Sequence, residues 1–284
     1  MKRTVVRKAV RKIYVMTDLE GVAGVENSQD WCLDDGRYYE RARVLLTLEV
    51  NAAVRGFLAG GALEVVVSDG HGPGGIDPDR LDPRAELIRG WPNGWPLELD
   101  ASFDALAFVG QHAKAGSLGA HLCHTQNMQH IDFSVNGVSL GEFGQLAACA
   151  SELGVPVIFG CGDLAFAQEA QALVPGIETV AVKRGLRKAD PGEALDDHAY
   201  RRHNAGAIHI PPERARQLIE AGARQAVARA GTRGSGLIPL TTPFERVVVL
   251  RRHEGHPVKT VSRERHPTSV ITLLNMPYQP EPMR

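Results

Sequence analysis

The chain has 284 residues, and its 32 Lys+Arg against 33 Asp+Glu leave a formal net charge of -1. At roughly 150 residues per domain, that length allows one large domain or two smaller ones with a real core. The balanced charge offers no basic field for nucleic acid or anionic lipid and no acidic excess of a disordered tail, so a small-molecule or peptide substrate is expected, with no nucleic-acid and no membrane partner.

The N-terminus, residues 1–11, is basic (Lys2, Arg3, Arg7, Lys8, Arg11) but lacks the apolar stretch of a signal peptide, and reads as a flexible extension. No apolar run approaches the ~18 residues needed to span a bilayer. The four cysteines, Cys32, Cys123, Cys149 and Cys161, contain no CxxC pair, which argues against a disulfide framework or zinc knuckle and for a reducing cytoplasm.

From about Lys12 onward, β-branched runs alternate with segments of helical period, the pattern of βαβ units: an α/β fold, three layers around a mostly parallel sheet. Strands are expected at Ile13–Thr17, Leu63–Ser68, Ala105–Gly110, Val155–Phe159 and Thr179–Val182. Between the first two, Tyr38–Ala59 carries Val44, Leu45, Leu48, Ala52 and Leu58 near one stripe, with Gly60-Gly61 as a stop. The stretch Ile131–Leu140 alternates around Asn136-Gly137, a strong hairpin signal. Glu142 opens a helix to about Leu153, and Asp163 caps another over Leu164–Leu173.

Beyond about Lys183 the texture changes. A charged stretch, Arg184–His203, precedes a helix from Pro211-Pro212 to about Ala230, then strand-like runs at Arg246–Leu250 and Ser269–Leu274 and a proline-rich irregular tail from Pro277. The domain reading is a metal-binding catalytic α/β domain over 12–185 and a smaller C-terminal α/β region over 186–284. Arg251-Arg252-His253 and Arg263–His266 read as solvated or intersubunit faces, and Trp91 and Trp95 as surface or interface residues.

Several expected strands end in a group able to bind metal. The first is followed by Asp18-Leu19-Glu20, the second by Asp69-Gly70-His71 and the third by Gln111-His112. In an open α/β sheet the ligand crevice lies beyond the carboxyl ends of the strands, so these residues are expected along one edge. In continuing extended chain Asp18 and Glu20 point to the same side, and two such carboxylates repel unless a cation or proton lies between them. Carboxylates combined with imidazoles from His71 and His112 favour zinc, with manganese or iron as alternatives. Glu142 stands at a helix start, and His121 and His124 supply imidazoles suited to acid–base work. Lys183, at a strand end, is a candidate for a substrate carboxylate.

The ordered set Met16-Thr-Asp18-Leu-Glu20-Gly21, Tyr39-Glu-Arg41 with Glu49-Val-Asn51, Val67-Ser-Asp69-Gly-His71, Gly110-Gln-His112-Ala and Asn136-Gly-Val-Ser-Leu-Gly-Glu142 resembles the zinc D-aminopeptidases of the dipeptide-transport operon type. The matches run in order from about Lys12 to Ala230, with Gly70 where a serine is familiar and a weaker match beyond Ala230. The resemblance implies a cytoplasmic aminopeptidase acting on short peptides, with two zinc ions per subunit. Asp18 would bridge the metals, with Glu20, His71, His112 and Glu142 as the remaining ligands. It also implies a catalytic histidine, falling on His124 with His121 as competitor, and a homo-oligomer, a decamer of two stacked five-fold rings. Two other readings stand beside it: a magnesium phosphohydrolase with Asp18 as nucleophile, and a non-catalytic peptide- or metal-binding protein linked to peptide transport.

Overall fold

The computed structural model describes residues 9–187, 194–232, 234–253 and 257–283; most of the basic N-terminal extension, residues 1–8, lies outside them. In chain order the elements begin with β1 (Lys12–Thr17), the short α1 (Ser28–Trp31), α2 (Tyr39–Gly60), β2 (Glu64–Ser68), β3 (Ala85–Ile88) and β4 (Ala105–Gln111). There follow β5 (His130–Val135), β6 (Val138–Ser139), α3 (Glu142–Leu153), β7 (Val157–Asp163), α4 (Leu164–Leu173) and β8 (Glu178–Gly185). The C-terminal part adds α5 (Asp197–His203), β9 (Ala207–His209), α6 (Pro212–Arg229), β10 (Phe244–Leu250), β11 (Thr260–His266), α7 (Val270–Asn275) and β12 (Glu281–Pro282).

The main sheet has seven strands in the order β3-β2-β1-β4-β7-β8-β9, parallel except for the antiparallel β9. Central strands buried on both faces read as continuous apolar runs, as β1 does over residues 13–16 and β4 over residues 105–109. Ile13 and Val15 face a core shared with α2 and α6, whereas Tyr14 and Met16 face a second core with α3, α4 and α7. The expected three-layer α/β fold is what forms. Between the helices of the first layer, α2 packs directly on α6, and at Gly56 an added Cβ would lie 2.4 Å from the Glu220 carbonyl oxygen.

A second, antiparallel sheet has the order β12-β11-β10-β5-β6. It joins the Asn136-Gly137 hairpin to the C-terminal strands, with Val248 opposite Phe133. At the turn both residues have positive φ, +50° and +76°, the backbone twist that a two-residue hairpin needs.

Three expectations are corrected in the C-terminal part. Ser269–Leu274 is not a strand: Ser269 caps α7 by accepting from the Thr272 amide at 3.0 Å, and Glu152 on α3 receives the Ile271 amide at 3.2 Å. A short apolar run has no decisive period, and the cap settles it as helix. Arg251 is no surface residue; it is 2% exposed, lies 4.0 Å from the Tyr200 ring centroid and donates to the Leu195 and His130 carbonyls. The Arg263–His266 stretch is part of β11, alternating exposed Arg263 and Arg265 with buried Glu264, which pairs with the fully buried Arg246. Among the described residues no helix is long and apolar enough to cross a membrane.

Candidate metal centre

The switch point of the main sheet lies between β1 and β4, from which the chain proceeds in opposite directions, and a crevice opens there beyond the strand ends. Asp18 and Glu20 follow β1, His71 follows β2, and His112 follows β4 immediately. Glu142 begins α3, the helix that packs beside β4. All five are thereby drawn to one edge.

Close backbone crossings make this convergence possible. The Asp18 amide donates to the Val109 carbonyl at 3.0 Å and the Gly21 amide to the Gly110 carbonyl at 2.7 Å. Gly110 has φ +76°, and a Cβ there would sit 2.0 Å from the Asp18 carbonyl oxygen, so only glycine fits the crossing. Gly70 answers a similar demand: a Cβ would meet the Thr17 carbonyl oxygen at 2.4 Å.

Within the cluster, His71 Nδ1 lies 3.2 Å from both Asp18 Oδ1 and Glu20 Oε2. His112 Nε2 lies 3.2 Å from Asp18 Oδ2 and 3.6 Å from Glu142 Oε2. The two oxygens of Asp18 thus face two different imidazoles. His124 Nε2 is 3.8 Å from Glu142 Oε1, and its ring stacks on that of His112 at 4.1 Å between centroids.

Each imidazole has its other nitrogen on a backbone carbonyl: His71 Nε2 on Cys32 at 2.7 Å, His112 Nδ1 on Ala113 at 2.9 Å and His124 Nδ1 on Leu122 at 2.8 Å. A carbonyl only accepts, so those nitrogens carry the proton and the neutral ring turns a lone pair toward the carboxylates. Lone pairs then meet acceptor oxygens, and Glu20 Oε2 and His112 Nε2 are buried without a hydrogen-bond partner. Such an array is stable only with protons or cations between its members.

The electrostatics say the same. Burial works against charge on His71 and His112, but Glu20 and Asp18 beside the first, and Glu142 and Asp18 beside the second, outweigh it and hold both imidazoles well above their ordinary pKa. Burial and the neighbouring Glu20 raise Asp18. Against burial, His112 and His124 bring Glu142 down to about 2. In a site of this kind metal and protons would compete for the same atoms. The donor types, carboxylate oxygen and imidazole nitrogen, suit zinc.

The cluster opens into a cavity of about 400 Å3, lined on its apolar side by Trp91, Trp95, Leu97, Phe108, Met128 and Leu146. Trp91 and Trp95, expected at the surface or an interface, therefore line the site. His124 faces this cavity; His121 does not. Fully buried, His121 donates from Nε2 to the Glu26 carbonyl at 3.0 Å, and burial together with Lys183 and His209 lowers its pKa to about 2. Lys183 is 3% exposed, donates to the Val25 carbonyl and does not line the cavity.

The residues that hold the candidate ligands in place are not among those the sequence pointed to. Gln111 Nε2 donates to Asp18 Oδ2 at 3.2 Å, and the Gln126 amide donates to Glu142 Oε1 at 2.7 Å. Arg89 spans the loop that carries His71, donating to the carbonyls of Asp69 and His71, both at 3.1 Å, and of Gly72 at 3.0 Å. Tyr39 hydrogen-bonds through its hydroxyl to the Gly74 carbonyl of the same loop. Gln111 adjoins His112 in sequence, which was a usable signal; Arg89 had none.

Fold and site together describe a class: an α/β protein with a carboxylate–imidazole cluster able to hold metal at the switch point of its parallel sheet. Comparison with known proteins narrows this. The profile of Peptidase_M55, a D-aminopeptidase family, matches residues 11–194, and the chain belongs to that family. A D-aminopeptidase of Bacillus subtilis (strain 168) is 34% identical over 182 residues, which span 63% of this chain and 65% of that relative. The fold also matches the solved Zn-dependent D-aminopeptidase DppA from Bacillus subtilis, a self-compartmentalizing protease, with a TM-score of 0.76 over 93% of this chain and 94% of the other, at 22% identity.

Proposed function

We propose that the protein is a zinc-dependent D-aminopeptidase that removes the N-terminal residue of short peptides. The observation that carries this reading is the arrangement of His71, His112 and His124, each tied through one nitrogen to a carbonyl and turned through the other toward carboxylate oxygens. Family membership and the D-aminopeptidase relative support the reaction and the D preference.

The two oxygens of Asp18, each facing a different imidazole, support a count of two zinc ions, which Asp18 would help hold together with Glu20 and His71 on one side and His112 and Glu142 on the other. Bound zinc would supply Lewis-acid polarisation of the scissile carbonyl and a water nucleophile available near neutral pH. The chain's own residues do the rest. Cys32, Ala113 and Leu122 fix the tautomers through their carbonyls, and Gln111 orients Asp18. His124 presents Nε2, the nitrogen not committed to Leu122, to take a proton from the attacking water and pass it to the departing amine. The apolar wall lowers the local dielectric and excludes water from the reacting bond.

A cytoplasmic, closed oligomer is part of the same proposal, supported by the four unpaired cysteines and by the self-compartmentalizing relative. The test is to purify the protein without added metal, count zinc by mass spectrometry and assay D-alanyl and L-alanyl dipeptides with and without chelator. Close to two zinc ions per chain and chelator-sensitive cleavage of the D-peptides are expected. Absence of both bound zinc and chelator-sensitive cleavage overturns the reading.

A further inference from the structure

The cavity has one permanent cation among its described lining residues, Arg201. Resting on the aminopeptidase reading, we propose that Arg201 is the counter-ion for the free C-terminal carboxylate of the substrate, so that the site selects unblocked short peptides over their C-terminal amides.

Arg201 lies on α5, a helix held rigidly. Asp196 caps it by accepting from the Ala199 amide at 2.7 Å. Tyr200, fully buried, lies between the guanidinium groups of Arg251 and Arg187, 4.0 Å and 5.8 Å from its ring centroid, and accepts the Gly116 amide at 2.8 Å. At the helix end, the Asn204 side chain donates to the Cys123 carbonyl at 3.1 Å, and its backbone carbonyl accepts the Leu122 amide at 3.0 Å. The segment pinned this way is the one that carries His124, so the guanidinium and the candidate acid–base group are positioned by the same contacts.

Arg201 itself is half-buried, and its hydrogen bond among the described residues is a neutral one, from Nη1 to Ser28 Oγ at 3.0 Å. That leaves most of the five N–H donors of a guanidinium for a ligand. Ser28 stands four residues before Cys32, whose carbonyl takes His71; the Cys32 amide returns to the Ser28 carbonyl at 3.0 Å. The guanidinium and the carbonyl that holds His71 are thereby tied to the two ends of the same short helix, α1. Arg201 lines the same cavity as Asp18, Glu20, His71 and Glu142, so a short peptide with its first peptide bond at that cluster has its C-terminal carboxylate in the cavity that Arg201 faces. The surrounding apolar wall strengthens a charge-assisted pair of this kind, and an amide would leave the guanidinium without its counter-ion.

The experiment compares D-alanyl-D-alanine with its C-terminal amide in two readouts on the zinc-loaded protein: kcat and KM, and calorimetric binding of the reduced-amide analogues of both, which cannot be cleaved. For wild type the acid is favoured over the amide by about 10- to 100-fold, chiefly through KM and binding. In Arg201→Met the ratio falls toward one, and Arg201→Lys restores part of it. Equal binding of acid and amide to wild type, no binding of either, or an unchanged ratio in Arg201→Met overturns the proposal. Carboxylate-dependent binding without cleavage would leave Arg201 in place and refute the aminopeptidase reading; cleavage with no preference for the acid would do the reverse.

Discussion

His124 stacks on His112 with an interplanar angle of 16°, while both rings approach the same carboxylate, Glu142. The two histidines differ in what else they touch: His112 reaches Asp18 at 3.2 Å, whereas His124 borders the cavity. This division predicts that His124→Ala keeps its zinc and binds a non-cleavable peptide yet loses kcat by about 100- to 10,000-fold, the range for a general acid or base. Metal analysis alongside kinetics checks it. Loss of zinc in this variant would make His124 a ligand instead, and full activity would remove it from the mechanism.

Asp18→Ala should act on metal content first. With both oxygens facing imidazoles, its loss depletes zinc from both halves of the centre, while Glu20→Gln or Glu142→Gln depletes one. A tightly bound ion stabilises the native state by about 2.7 kcal/mol when free metal is 100 times Kd. Zinc should therefore raise the melting temperature of wild type and leave that of Asp18→Ala unmoved; an equal rise in both contradicts the assignment.

Arg89→Ala tests the loop that presents His71. Three carbonyls lose their shared donor, and support of this kind is worth about 10- to 100-fold in metal affinity. Competition with a chelator of known affinity reads the change. If zinc affinity stays at the wild-type value, the loop is held without Arg89.

A pH dependence is expected from Glu49, which is not among the candidate ligands. Burial raises its pKa to about 7, only partly opposed by the hydrogen bond from the Ala23 amide at 3.0 Å. The folded state then holds a proton that the unfolded chain releases near pH 4.5, so this group's contribution to stability falls as pH rises from about 4.5 through 7. Glu49→Gln mimics the protonated form. Its urea midpoint should match wild type near pH 5 and exceed it at pH 8, by on the order of 3 kcal/mol in stability. The same difference at both pH values would show that Glu49 does not titrate in this window.

Arg246→Leu addresses the second sheet. Arg246 and Glu264 are 0% and 3% exposed with 2.8 Å between them, so removing the guanidinium strands a buried carboxylate. A loss of about 3 to 5 kcal/mol is expected, read from urea unfolding. Replacing both partners with apolar residues should recover much of it, which separates the stranded charge from lost packing.

The chain's sequence carries its main-sheet elements openly because their causes are local. Apolar β-branched runs specify buried strands such as β1 and β4, Asp163 caps α4 through the Phe166 amide at 2.8 Å, and Gly61, with φ +111°, stops α2. Elements whose causes are distant were not readable in the same way. α7 depends on Glu152 from another helix, β3 and β9 are short strands with little pattern of their own, and Arg251 is buried only because Tyr200 folds under it.

The candidate site divides along the same line. Residue types and their order after successive strands already pointed to Asp18, Glu20, His71 and His112, since strands of one parallel sheet end at one edge, and the family resemblance added Glu142, which opens a helix instead. Choosing between His121 and His124 was beyond the sequence. The two lie three residues apart, and which imidazole enters the cavity depends on the backbone turning at Leu122, with φ +54°, held by Asn204 from α5. Arg89 and Arg201 were hidden for the same reason, as cations in loops and charged stretches become part of a site only once a fold brings them to it. Local patterning determined which chemistry this chain can hold; side-chain contacts between residues far apart in sequence decided which atoms face one another, because only packing sets those distances.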